Sequence, residues 1–162
     1  MFLGSAPELI KHMKMNSGRL TGLETEDGGV EMLQVVSYGI GGLYEPHRDA
    51  FGLNSINATG SALQTELRRF GAEGRGDRIA TLIYYLEEIK QENGGGTVFP
   101  DLGIAAFPTK GSALFWFNLD KNGMMYQESI HAGCPVLYGS KWISNHWFRE
   151  NAQMLKRPCL PR

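Results

Sequence analysis

The segment YEPHRDAF, residues 44–51, places a histidine and an aspartate two positions apart just after a glycine-rich turn. In an extended segment the side chains of residues i and i+2 lie on the same face. His47 and Asp49 would therefore aim an imidazole and a carboxylate at one point, with Arg48 turned away. The pair is either half of a mononuclear metal site or has no such role. Because short His-x-Asp strings also arise by chance, a third ligand elsewhere in the chain must decide the matter.

His131 is the candidate for that third ligand, because it opens a strand-like run, IHAGCPVL, that an antiparallel neighbour could return to His47 and Asp49. Two histidines and one carboxylate, with the remaining coordination positions open, form the ligand set of non-haem Fe(II) oxygenases. A structural zinc site would need four ligands, usually with cysteine, and neither cysteine has that spacing. The alternative is that His131 is an ordinary strand histidine with a local hydrogen bond.

Lys141 begins the next strand-like run, KWISNHWF, in which alternation places Lys141, Ile143 and Asn145 on one face. An ammonium directed into a barrel lined with aromatics is unfavourable unless an anion meets it, and a bound dicarboxylate would supply that anion. The hydroxyls of Tyr38 and Thr97 could add donors to the same ligand. The alternative is an exposed lysine at the start of a strand.

Most of the elements that must position these residues are predicted as strands. The segments are rich in β-branched and aromatic residues and are separated by glycine-containing turns; they span residues 31–38, 43–50, 78–86, 97–99, 104–107, 112–118, 130–136 and 141–148. About eight short strands predict a mainly β fold, the double-stranded β-helix or jelly roll. Two flanking helices are predicted at about residues 7–15 and 62–70.

The 162 residues, with a net charge of −1 and 42% hydrophobic content, predict one globular domain over residues 1–162, with its core at about 31–150. The near-neutral charge argues against nucleic-acid binding. No apolar run reaches the roughly 18 residues that a membrane span requires. Residues 52–77 form a long, polar, glycine-rich insertion, which predicts a mobile flap. The first residues are typical of a helix start rather than a signal peptide.

Two features bear on the cellular compartment. Cys134 and Cys159 are small buried hydrophobes in a cytosolic protein, or they close a disulfide worth roughly 3 kcal/mol in an oxidising one. The second lies in a proline-flanked tail, KRPCLPR, that has little else to hold it. The tripeptide that begins at Asn57 is an N-glycosylation sequon. Together the two features leave the secretory pathway and the cytosol about equally favoured.

Six segments resemble the catalytic domain of the collagen-type prolyl 4-hydroxylases, the alpha-subunit group of Fe(II)/2-oxoglutarate dioxygenases. Between about residues 31 and 159 they occur in consistent order: YGIGGLYEPHRD, RIATLIYYL, GGGTVFPDLG, FPTKGSALFWFNL, HAGCPVLYGSKWISNHWF and KRPC. The resemblance implies that His47, Asp49 and His131 ligate iron. It also implies that Lys141 pairs with the distal carboxylate of 2-oxoglutarate and that Tyr38 contacts the same co-substrate.

The resemblance implies a reaction, the 2-oxoglutarate- and O2-dependent 4-hydroxylation of peptidyl proline in collagen-like or other proline-rich chains. Ascorbate is expected to restore oxidised iron, and a protein disulfide isomerase subunit is a possible partner. The Cys134–Cys159 disulfide of the family would place the chain in the endoplasmic reticulum lumen. Tyr44, Trp116 and Trp142 are candidates to line the proline or co-substrate pocket, although aromatic strand residues are more often core.

The chain departs from the family pattern in three ways. Arg149 stands where the family commonly has a histidine thought to assist the co-substrate's C1 carboxylate. An arginine can pair with an anion but cannot donate a proton at neutral pH. A histidine, His146, is nearby in sequence. The insertion after Asp49 is longer than usual. The family's N-terminal domains are absent, so the chain is a fragment, a short isoform or a diverged paralogue. The alternative function is therefore a non-catalytic jelly-roll subunit or pseudoenzyme that binds a peptide or a partner protein.

Overall fold

The computed structural model describes residues 7–52 and 75–154. One α-helix, α1 (Pro7–Thr21), precedes eight strands in this part of the chain. The strands are β1 (Gln34–Tyr38), β2 (Tyr44–His47), β3 (Arg78–Tyr85), β4 (Thr97–Phe99), β5 (Ile104–Ala106), β6 (Ala113–Phe117), β7 (His131–Gly133) and β8 (Lys141–Arg149). The mainly β prediction is confirmed, and each strand falls within a predicted segment or differs from it by one residue. The helix predicted at residues 62–70 lies outside the described residues.

The strands form two four-stranded antiparallel sheets. Sheet I has the order β1-β8-β3-β6, and sheet II has the order β2-β7-β4-β5. The chain passes repeatedly from one sheet to the other, which is the arrangement of the predicted jelly roll. The long central strands β3 and β8 lie side by side in sheet I, with Leu82 opposite His146 and Ile83 opposite Asn145.

Sheet I is covered on both faces, which explains why β3 and β8 are buried along nearly their whole length. Ile83, Tyr85 and Ile143 form one apolar cluster on the face toward sheet II. Leu82 and Phe148 belong to a second cluster on the opposite face. Burying each large apolar side chain contributes roughly 1.5–3 kcal/mol, so both faces help to fix the position of β8.

Helix α1 packs on the outer face of sheet I through a buried polar contact. Ser17 Oγ lies 2.6 Å from His146 Nδ1 and 3.0 Å from Tyr84 Oη. Burial, helped by Lys14, lowers the pKa of His146 to about 4, so the imidazole is neutral at physiological pH. The helix runs six residues further than predicted and ends at Thr21. Gly22 follows it with a positive φ of 72°, which suits the left-handed turn after a helix.

No helix in the described ranges combines the length and the apolar character needed to cross a membrane.

Candidate metal centre and its cavity

A cavity of about 570 Å³ lies between the two sheets. From β8 it is lined by Lys141, Ile143, Asn145 and Trp147, which confirms that the predicted alternation holds along this strand. Sheet II contributes residues from β2, β4 and β7. The charged residues in the lining are Glu31, Arg48, Asp49, Arg78 and Lys141.

Three predicted ligands converge at this cavity. Strands β2 and β7 pair so that His47 lies directly opposite His131, with ring centroids 4.3 Å apart. Each histidine Nε2 lies 3.7 Å from an oxygen of Asp49. One donor atom from each residue lies within 4.8 Å of the others. The separations between imidazole and carboxylate are too long for hydrogen bonds and leave space for an ion.

Both histidines are held in the tautomer that metal binding requires. His47 Nδ1 lies 2.8 Å from the carbonyl oxygen of Glu45, and His131 Nδ1 lies 2.9 Å from that of Ser129. A carbonyl only accepts, so each Nδ1 carries the proton and each Nε2 presents a lone pair to the cavity. Burial lowers the pKa of His131 despite the opposing effect of the nearby Asp49 carboxylate, which keeps the imidazole neutral.

Asp49 is oriented by residues that the sequence analysis did not identify. The Thr81 hydroxyl donates to Asp49 Oδ2 at 2.6 Å, and Asn118 Nδ2 donates to Thr81 Oγ1 at 2.8 Å. All three side chains are buried. Hydrogen-bond partners of this kind fix ligand orientation and tune metal affinity. The available signal in the sequence was a threonine in the middle of the apolar run IATLI of strand β3.

The donor set fits Fe(II). Two neutral imidazole nitrogens and one carboxylate oxygen converge from one side, which leaves the positions toward the cavity available for other ligands. A closed structural site would surround the ion with protein ligands, and the described residues offer no fourth histidine, cysteine or carboxylate in this group.

Lys141 forms a second polar site in the same cavity. The side chain is 3% exposed, and Nζ donates to Thr97 Oγ1 at 3.3 Å. Tyr85 Oη also donates to Thr97 Oγ1, at 2.9 Å, and Nζ lies 5.8 Å from the centre of the Tyr38 ring. Burial lowers the pKa of Lys141 to about 8, against a smaller opposing effect of Cys134. No carboxylate among the described residues forms an ion pair with the ammonium. A buried ammonium in this environment favours the binding of an anion beside it.

A third cluster contains Glu31 and two arginines. Arg78 donates two hydrogen bonds to Glu31, at 2.7 and 2.9 Å, and Arg149 donates one at 2.9 Å. The Arg78 guanidinium also lies 3.8 Å from the centre of the Trp147 ring. Burial alone would raise the pKa of Glu31. The hydrogen bonds and charges of the two arginines lower it by a larger amount, so the net shift is downward and Glu31 is ionised.

The position of Arg149 does not support its predicted role in binding the co-substrate. The residue is 2% exposed, pairs with Glu31 and is not part of the cavity lining. His146, its neighbour in sequence, faces helix α1 on the other side of sheet I. No local sequence pattern indicates these ion pairs, because Glu31 and Arg149 are 118 positions apart.

The three predicted pocket aromatics occupy different places. Tyr44 lines the cavity, with its ring centroid 3.9 Å from that of His47. Trp116 does not line the cavity and instead packs against His131, with a centroid distance of 4.6 Å. Trp142 is 42% exposed and also lies outside the lining, because the alternation that turns Lys141 inward turns its neighbour outward.

The orientation of Arg48 also differs from the prediction. Alternation predicted that it would turn away from His47 and Asp49, but it lines the same cavity. Strand β2 ends at His47 after a shift in its register with β7, so the two-residue period does not continue to Arg48.

Two covalent features stay predictions. Cys134 is half-buried, but its predicted partner Cys159 lies outside the described residues. The sequon asparagine, Asn57, and most of the predicted flap at residues 52–77 also lie outside them.

Comparison with known proteins identifies a family and several relatives. The 2OG-Fe(II) oxygenase superfamily matches residues 33–149. The chain is 40% identical to prolyl 4-hydroxylase subunit alpha-1 of Rattus norvegicus over 156 residues, which is 96% of this chain and 26% of that protein. It is 43% identical to prolyl 4-hydroxylase subunit alpha-2 of Gallus gallus over 141 residues, 87% of this chain and 23% of the relative. The chain thus spans about a quarter of these relatives.

The fold also matches a solved structure. The viral collagen prolyl hydroxylase of Paramecium bursaria chlorella virus 1, in its 2OG complex, superimposes with a TM-score of 0.69 and 27% sequence identity. The match covers 91% of this chain and 76% of the viral one. The resemblance noted from the sequence motifs is therefore confirmed over nearly the whole chain.

Proposed function

The chain belongs to the 2OG-Fe(II) oxygenase superfamily, and on that basis we propose that it catalyses 4-hydroxylation of peptidyl proline in collagen-like or other proline-rich chains. The reaction consumes 2-oxoglutarate and O2 and yields succinate, CO2 and hydroxyproline. Similarity to prolyl 4-hydroxylase alpha subunits and to the viral collagen prolyl hydroxylase supports this reaction.

In this proposal His47, Asp49 and His131 hold Fe(II) through two imidazole nitrogens and one carboxylate oxygen. The chemistry supplied by the bound metal is the activation of O2 coupled to oxidation of the co-substrate. The hydrogen bond from Thr81 leaves Asp49 with one oxygen for the metal. The packing of Trp116 against His131 holds that imidazole in place.

Lys141 binds the distal carboxylate of 2-oxoglutarate. Its ammonium lies in a cavity between the sheets and forms no ion pair with a described carboxylate, so a dianion restores the charge balance that burial has disturbed. Thr97 positions Nζ, and Tyr38 borders the same pocket. Arg149 acts at a distance, by helping Glu31 to hold Arg78 at the cavity wall.

The single observation that carries the proposal is the presence of two sites in one cavity, a converging His-Asp-His group and a buried lysine that forms no ion pair with any described carboxylate. Neither a structural metal site nor a peptide-binding module requires a buried lysine beside the metal ligands. The combination is what a metal-bound dicarboxylate co-substrate requires.

The test is mass spectrometry of collagen-like and other proline-rich peptides after incubation with Fe(II), 2-oxoglutarate and O2. We expect a gain of one oxygen on proline and an equal amount of succinate. The substitution His47→Ala should abolish both products, whereas His12→Ala, which alters an exposed histidine of α1, should abolish neither. A folded protein that binds these peptides but forms no succinate would instead be a non-catalytic subunit or pseudoenzyme.

The resemblance to the collagen-type enzymes supports finer proposals. We propose that ascorbate maintains the iron as Fe(II), that a protein disulfide isomerase subunit is a partner, and that the chain acts in the endoplasmic reticulum lumen. A Cys134–Cys159 disulfide and glycosylation at Asn57 would both agree with that compartment. Peptide mapping without reduction and after glycosidase treatment tests the two modifications.

A further inference from the structure

The charges that line the cavity leave one cation without an assigned anion. Asp49 faces the two metal-binding histidines, and Glu31 is paired with Arg78 and Arg149. Lys141 lies in the pocket assigned to the dicarboxylate. Among the charged lining residues that the structure describes, Arg48 is the cation that remains.

Arg48 is held at the cavity rather than extended into solvent. One terminal nitrogen, Nη2, donates to Gln127 Oε1, and Gln127 Nε2 in turn donates to Asp101 Oδ2 at 3.2 Å. This chain of contacts connects the guanidinium to an exposed carboxylate only through a neutral amide. The Nε of Arg48 is buried and has no hydrogen-bond partner. Because no described carboxylate forms an ion pair with the Arg48 guanidinium, its charge remains available to an oxygen anion.

We propose that Arg48 makes the protein selective for substrate peptides with an aspartate or glutamate next to the hydroxylated proline. The inference rests on the proposed function and adds the chemical class of the peptide. The Arg48 side chain lines the same cavity as His47, Asp49 and His131, so a peptide whose proline reaches the metal centre would come close to it. In an extended polyproline conformation, a neighbouring residue is about 3 Å along the chain, within reach of an arginine side chain.

The alternative anion for Arg48 is the co-substrate itself, and the geometry argues against it. Lys141 already offers an ammonium in the deeper part of the cavity, beside the hydroxyl of Thr97. Arg48 instead contacts Gln127, and that contact is exposed to solvent. This position suits a side chain of an entering peptide better than a small molecule enclosed between the sheets.

The experiment compares pairs of proline-rich peptides that differ only in charge. Each pair carries aspartate or asparagine, or glutamate or glutamine, next to the target proline. We expect the acidic member to have a kcat/KM about tenfold higher, as a single charge-assisted hydrogen bond provides. The substitution Arg48→Gln should bring the ratio close to one, and Arg48→Lys should keep part of it. The matched control Arg19→Gln, at an exposed position at the end of α1, should keep the full ratio.

A binding measurement separates this inference from the proposed function. Fluorescence anisotropy of labelled acidic and neutral peptides is recorded with metal-free protein, at low and at high salt. The acidic peptide should bind more tightly, and the difference should shrink at high salt and in Arg48→Gln. If peptides of both kinds are hydroxylated equally well, or if the preference survives Arg48→Gln, the role of Arg48 is refuted while the hydroxylase function stands. A charge preference in binding without any hydroxylation would refute the function and support the role of Arg48.

Discussion

The affinity for 2-oxoglutarate should fall as pH rises through the pKa of Lys141. In the ligand-free protein, burial lowers that pKa to about 8, and only the protonated amine can pair with the distal carboxylate. The protonated fraction is about 0.9 at pH 7 and about 0.1 at pH 9. The apparent Kd should therefore rise about tenfold over this range, which corresponds to about 1.4 kcal/mol of binding free energy.

The measurement is isothermal titration calorimetry, performed anaerobically with Mn(II) in place of iron at pH 7 and pH 9. Buffers that differ in ionisation enthalpy should also reveal proton uptake near pH 8, because the bound carboxylate stabilises the ammonium form. The substitution Lys141→Arg should remove the pH dependence, since a guanidinium stays charged throughout. 2-Oxobutyrate, which lacks the distal carboxylate, serves as the control ligand. A Kd for 2-oxoglutarate that is equal at the two pH values, or an equal tenfold change with 2-oxobutyrate, would refute the reasoning.

Two further predictions concern the support of the site. Replacing Thr81 by valine removes the hydroxyl that donates to Asp49, so metal affinity measured by Co(II) titration should drop roughly 10- to 100-fold, whereas Thr81→Ser should retain most of it. His146 has a folded pKa of about 4 against an ordinary value of 6.5, so the unfolded chain binds the proton first as pH falls. Urea unfolding should therefore show about 3 kcal/mol of stability lost between pH 6.5 and 4, in excess of the loss in His146→Gln, and equal losses in the two proteins would contradict this origin.

The sequence was sufficient for those parts of the site that follow from local periodicity. Alternation along β8 correctly placed Lys141, Ile143 and Asn145 on the cavity face. The pairing of two strands that each carry a histidine brought His47 opposite His131. Both conclusions depend only on the two-residue repeat of a strand and on antiparallel neighbours, which the residue pattern encodes directly.

The parts that could not be predicted depend on where strands end and on contacts between distant segments. Arg48 lines the cavity because β2 stops one residue earlier, and a strand boundary is poorly encoded in sequence. The Glu31 cluster joins the segment before β1 to the ends of β3 and β8. No local pattern reveals such a contact. Trp142 was a candidate for the pocket, although the alternation that places Lys141 inside already turns Trp142 outward.

The two sheets divide the candidate site between them. The imidazoles belong to sheet II, whereas Lys141 and the hydroxyl that anchors Asp49 belong to sheet I. A dicarboxylate that extends from the metal to the ammonium would contact both sheets and connect them. Succinate, one carbon shorter, still has a carboxylate at each end, because the former keto carbon becomes a carboxylate, but it lacks the 2-oxo acid group that would chelate the metal. Turnover would thus weaken the connection between the two sheets at its metal end, which would favour release of the product.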